Sequence, residues 1–141
     1  MKKFFAVFLT VVMTFALVGC GGDSSSTGEI DLDLTELSST MVYSEVSNIM
    51  TTPDDYIGQT VKMNGTFASY YDEQEDEYFF ACVIADATAC CQQGLEFQLK
   101  GDHKYPDDYP EVGDEITIVG TFDTYDLNGQ TYATLKDAEL Q

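Results

Sequence analysis

Arginine is absent from this chain of 141 residues, histidine occurs once, and six lysines face 25 acidic residues, for a net charge of −19. A field of that sign repels phosphate backbones, which excludes nucleic acid as a partner. One histidine, no arginine and no recognisable nucleophile motif leave hydrolase or transferase chemistry without residues to carry it. The Cys-x-x-Cys pair of thiol redox enzymes is also missing, so a thiol enzyme is the weakest functional reading. Long apolar runs are scarce. The one present, Phe4 to Ala16, is shorter than the ~20 residues needed to cross a bilayer.

The flanks of that run are informative. Met1-Lys2-Lys3 precedes it and Leu17-Val18-Gly19-Cys20 follows it. A cationic start, an apolar centre and a small-residue stop make up an export signal. The stop resembles the lipobox of bacterial lipoproteins. That resemblance implies removal of residues 1–19, a new N-terminus at Cys20, and a diacylglyceryl group on its thiol. Two acyl chains anchor stably where one is marginal. The expected protein is therefore exported and lipid-anchored to a membrane, at the cell surface or the periplasmic face. Residues 20–38 read as the lipidated cysteine and a flexible tether, first glycine- and serine-rich, then acidic. Within it, Ile30 to Leu37 alternates and reads as an edge segment or as more tether. Loss of Lys2 and Lys3 leaves four lysines against 25 acids, a net of −21. Lipid, not a basic patch, must then hold the protein near anionic headgroups. Divalent cations or cationic partners are electrostatically favoured, although such a surface also simply keeps a protein soluble.

Residues 39–141 suffice for one small domain. Ser39 to Met50 predicts a short helix. Ser39 or Thr40 is placed to cap it, and Met41, Val42, Val46, Ile49 and Met50 form the apolar stripe. Ile57-Gly58-Gln59-Thr60-Val61-Lys62-Met63-Asn64-Gly65-Thr66-Phe67 aligns without gaps on Val112-Gly113-Asp114-Glu115-Ile116-Thr117-Ile118-Val119-Gly120-Thr121-Phe122. Each is a glycine turn feeding a period-two strand with a mid-strand glycine suited to a sharp coil. Tyr78 to Ala85 reads as a strand apolar on both faces, Gly94 to Lys100 as an alternating strand, and Thr131 to Leu135 as the last strand. Asn128-Gly129 supplies the final hairpin turn.

Five strands with kinked first and fourth members resemble the OB-fold of exported bacterial domains over Thr52 to Glu139. The fold class this implies is mainly β, a five-stranded OB-like Greek-key barrel preceded by one short α-helix. The link Gly101 to Gly113 holds Pro106 and Pro110 and departs from the helix usual there. The N-terminal helix is expected to cover the core in its place.

With Cys20 lipidated, an odd three cysteines remain: Cys82, Cys90 and Cys91. Three readings stand open. Cys82 forms a disulfide with one of the pair; or all three are buried thiols; or they bind zinc or copper, with Asp86 or His103 as a further ligand. The stretch Ala81 to Cys91 also resembles a cysteine-bearing extracytoplasmic segment of a small membrane protein that accompanies a predicted permease. This implies an exported barrel with a cysteine pair. The acidic Asp72 to Glu77 lacks calcium-loop spacing and reads as a solvated hairpin tip. Tyr70, Tyr71 and Tyr78 around it, with Tyr105 and Tyr109 in the proline link, are candidates for a surface that contacts a protein partner or small ligand, or they cover the sheet edge. The expectation is a non-catalytic binding module, with a metal-binding lipoprotein as the alternative.

Overall fold

The computed structural model describes residues 28–141. The signal, Cys20 and the start of the tether lie outside them. Over the described residues the chain is mainly β, with six strands in one mixed sheet and one α-helix. In order these are β1 (Leu32–Asp33), α1 (Ser39–Thr51), β2 (Thr60–Asp72), β3 (Glu77–Ala85), β4 (Gln92–Leu99), β5 (Glu115–Leu127) and β6 (Gln130–Leu140).

β2 pairs antiparallel with both β3 and β5, β3 with β4, and β5 with β6, while β4 and β6 run parallel. The pairings therefore run β2–β3–β4–β6–β5 and return to β2. β2 divides its length to do this. Thr60 to Thr66 pair with β5, and Thr66 to Asp72 pair with β3. The change of partner falls at Gly65 and Thr66.

The two aligned segments are related by a local two-fold. Met63 lies opposite its counterpart Ile118. The Gly58 N–H donates to the Phe122 carbonyl at 2.8 Å, and the Gly113 N–H donates to the Phe67 carbonyl at 2.9 Å. The return bonds are equivalent: Phe122 N–H to the Gln59 carbonyl and Phe67 N–H to the Asp114 carbonyl, both 2.8 Å. Both turn glycines have positive φ, +85° and +101°, a conformation that carries no steric cost for glycine.

Alternation puts Val61, Met63 and Phe67 of β2, Cys82 of β3, Leu95 and Phe97 of β4, Ile116, Ile118 and Phe122 of β5, and Leu135 of β6 into one buried core. Val46 and Ile49 of α1 join it, so the helix packs on the sheet as expected. Its Tyr43 carbonyl accepts from the Gln93 side chain. The N-cap is Ser38, without a side-chain cap bond, instead of Ser39 or Thr40. Asn128 and Gly129 both have positive φ, the geometry of the tight hairpin turn.

Two expectations need correction. Ile30 to Leu37, read as an edge segment or as more tether, takes the first form: β1 pairs in parallel with Val61 and Lys62, and Leu34, in a 3-10 turn after it, is 1% exposed. Burying one leucine is worth about 1.5–3 kcal/mol, enough to hold a short segment that its acidic neighbours made look solvated. β1 thus becomes a sixth strand. β3 is not buried on both faces; only Cys82 is fully covered, and Phe79, Ala81 and Val83 are half-buried. The proline link packs on the opposite face of β3, against Phe80.

Candidate functional site

The β3–β4 turn, residues 86–91, is organised by one side chain. Asp86 Oδ1 accepts from the backbone N–H groups of Thr88 (3.2 Å) and Cys90 (2.9 Å). The turn closes through Asp86 N–H to the Cys91 carbonyl at 2.9 Å, with Ala89 at φ +54°. Cys90 and Cys91 consequently project side by side into solvent, their Sγ atoms 3.4 Å apart. The Cys90 thiol donates to Asp86 Oδ2 at 3.3 Å. That bond, more than those from Thr88, Cys90 N–H and Cys91 N–H, holds the Asp86 carboxyl below its ordinary range. Its own sulfur contact with Cys90 raises the Cys91 thiol.

Cys82 is elsewhere. It lies mid-strand between Phe67 and Leu95, fully buried and unpaired, and burial pushes its thiol up to about 12. The expected Cys82 disulfide is therefore not formed: strand parity turns Cys82 inward, while the turn directs the pair outward. Nor are all three thiols buried. Of the expected metal ligands, Asp86, Cys90 and Cys91 come together, and Cys82 and His103 do not. His103 sits on the proline link, near the Lys100 carbonyl (3.0 Å) and edge-on to Tyr109.

The five candidate tyrosines divide between two faces. Tyr71 and Tyr78 follow the parity of Phe67 and Phe80 and extend the core as a stack of rings. Tyr71–Tyr78 centroids are 4.9 Å apart, Tyr78–Tyr105 4.5 Å and Phe80–Tyr109 4.0 Å. Tyr105 and Tyr109 are half-buried here; the proline link folds back and lays them over Phe80. The tip between Tyr71 and Tyr78 is solvated, with Asp72 accepting from Gln74 N–H at 2.7 Å.

Tyr70 belongs to the other face. It is 67% exposed and lies beside Phe79 in register. Together with Ala68, Ala81 and Glu96 these residues line a shallow groove of about 150 Å³. Glu96 is the charged centre of this outer face. Leu95 and Phe97 point into the core, so Glu96 points out. It accepts from the Tyr125 hydroxyl at 2.7 Å, and Tyr125 stacks on Tyr132 at 5.6 Å. Burial raises the Glu96 carboxyl above its ordinary value, against the hydrogen bond from Tyr125; nearby Glu77 pushes the same way as burial. Burial and the bond to Glu96 raise Tyr125 too. Among the described residues, lysines pair with Asp33, Glu139 and Asp123, and none pairs with Glu96. The Asp72–Glu77 tip and the β5–β6 turn border this face and touch through Asn128 Nδ2 and Glu75 Oε1 at 2.9 Å.

Glu96, Phe79, Tyr125 and Tyr132 were not expected as site residues. Tyr125 and Tyr132 lie equally far from the Asn128-Gly129 turn, so the hairpin itself signals that they face each other. A larger groove, about 600 Å³, lies between Leu34, Val42, Lys62, Asn64 and Ile84. Its only lysine, Lys62, is 3.8 Å from Asp33, and it gathers no comparable group of functional side chains.

No protein-family model, no curated protein and no solved structure matches this chain. Among the described residues, no helix is long and apolar enough to cross a membrane.

Proposed function

We propose that this chain is an exported lipoprotein, held at a membrane by lipid on Cys20, whose domain binds a cationic partner and is not an enzyme. The lipobox-like Leu17 to Cys20 supports the anchor. The closed circuit of pairings, with its one parallel contact between β4 and β6, supports reading the domain as an OB-like barrel. In such barrels the face of the second and third strands, flanked by two loops, receives the ligand. Here that face is β3 and β4, and the loops are the two that meet at Asn128 and Glu75.

One observation carries the binding reading: a half-buried carboxylate with no lysine beside it, set among Tyr70, Phe79, Tyr125 and Tyr132. Aromatic faces and a desolvated carboxylate together favour an ammonium or guanidinium group. The chain's net negative charge steers cations toward it. A protein partner with exposed lysines or a small amine at the cell surface both offer this chemistry.

Glu96→Gln separates binding from folding. An acid raised by burial destabilises the fold once ionised. Stability from this group falls as pH rises from its unfolded value, near 4.5, through the raised folded value, and is flat above. The variant lacks that fall and is expected to be as stable as the parent at neutral pH, or more so. Its affinity for a lysine-rich peptide, followed by tyrosine fluorescence at low salt, is expected to drop at least about tenfold, the loss of a charged hydrogen-bonding group. Equal affinity in parent and variant would refute the binding reading. The anchor has a separate test. Cys20→Ala is expected to abolish palmitate incorporation and release the protein from the membrane fraction; continued labelling would refute it.

A further inference from the structure

The β3–β4 turn uses none of the residues of the proposed binding face. We propose that Asp86, Cys90 and Cys91 form a site for a zinc-class divalent cation, with three protein donors and one open coordination position. One donor atom from each of the three lies within 4.8 Å of the others. Two thiolates on a tetrahedral zinc, with Zn–S of about 2.3 Å, sit roughly 3.8 Å apart; on a linear two-coordinate ion of similar bond length they sit roughly 4.6 Å apart. The Cys90 and Cys91 sulfurs are 3.4 Å apart. They need to open by a few tenths of an ångström for the first geometry and by more than an ångström for the second. The spacing therefore selects a tetrahedral cation over two-coordinate cuprous copper.

The carboxylate is already aimed. Oδ1 is occupied by backbone N–H groups, and Oδ2 accepts from the Thr88 hydroxyl at 3.0 Å while facing the Cys90 thiol at 3.3 Å. A thiol proton now lies between donor atoms that a cation would share. Binding releases both thiol protons to solvent and leaves two thiolates and one carboxylate on the ion. Three protein ligands and an exposed fourth position are the arrangement of a site that exchanges its metal or takes an outside ligand, in contrast to the closed four-ligand structural type.

The test is a cobalt titration of the reduced, detergent-solubilised mature protein, followed by zinc. The expected result is one equivalent of cobalt with intense visible bands and a thiolate charge-transfer band, both displaced by zinc. Cys90→Ser and Cys91→Ser are expected to abolish the signal and Asp86→Asn to weaken it, while His103→Ala leaves it unchanged. Cys82 supplies the internal check on folding. Buried and with a raised pKa, it should resist iodoacetamide in every variant until denaturant is added. A weak octahedral cobalt spectrum, or alkylation of Cys90 and Cys91 at the same rate with and without zinc, would overturn the proposal. So would tight cuprous binding that is indifferent to Asp86→Asn in a protein that ignores zinc.

Discussion

Truncating Phe67 to alanine is expected to cost the domain about 3–5 kcal/mol, the range for removing a buried aromatic. Phe67 is 1% exposed and is the ring on which the stack is built. Its centroid lies 6.0 Å from Phe80, 6.1 Å from Phe97 and 6.1 Å from Tyr109. Its backbone also fixes the end of the proline link through the bonds to Gly113 and Asp114. The side chain therefore joins three strands and a long connection. Small domains hold only about 5–15 kcal/mol in total, so the variant should populate the unfolded state visibly. The measurement is the urea midpoint, expected to fall with an unchanged slope. Phe67→Leu, which keeps most of the volume, should lose much less. A midpoint for Phe67→Ala within error of the parent would mean that the stack does not support the core.

Gly65→Ala is also expected to be strongly damaging. A Cβ there would lie 2.6 Å from the Val83 carbonyl oxygen and 2.8 Å from Cys82 Sγ. Overpacking of this kind costs about 1–3 kcal/mol. The cost should fall toward the upper end, because a backbone carbonyl of β3 cannot rotate away and this is where β2 changes partners. Adding Cys82→Ala relieves only the sulfur contact and should restore only part of the loss. The two-fold supplies a control. At the equivalent Gly120 the added carbon would meet Leu135 Cβ at 2.9 Å, the Lys136 carbonyl at 3.1 Å and Ala138 Cβ at 3.2 Å. These contacts are less severe, and β5 and β6 already slip register there, so Gly120→Ala should cost less. Equal midpoints for the two variants would show that the change of partner at Gly65 adds no constraint.

Much of this architecture is legible in the residues. Alternation in Gly94 to Lys100 places Leu95 and Phe97 inward, and the apolar stripe of α1 marks Val46 and Ile49 as its buried side. The repeat marks two equivalent strands. It does not reveal that they pair with each other, because equivalence constrains local conformation and not neighbours. β1 is two residues long, and the alternation around it, with acidic partners, suits a tether as well as an edge strand. The division of the cysteines follows from parity at Cys82 and from a turn built around Asp86. Only the first is a property of sequence spacing. Tyr70 and Tyr71 are adjacent in a strand and must face opposite ways, which already splits any surface containing both. The setting of Glu96 depends on Tyr125, 29 residues further on, and such a long-range contact leaves no local mark.

The way the chain enters the fold decides how it responds to force. The entry is tied to β2 by the parallel pairing of Leu32 and Asp33, by Asp31 N–H to the Thr60 carbonyl at 2.9 Å, and by Thr60 N–H to Asp31 Oδ2 at 2.8 Å. Leu34 sits behind them as a plug. If the proposed anchor holds the chain, a pull transmitted to residue 28 would load this small clasp before it reached the closed circuit of long strands. The clasp is thus a mechanical fuse.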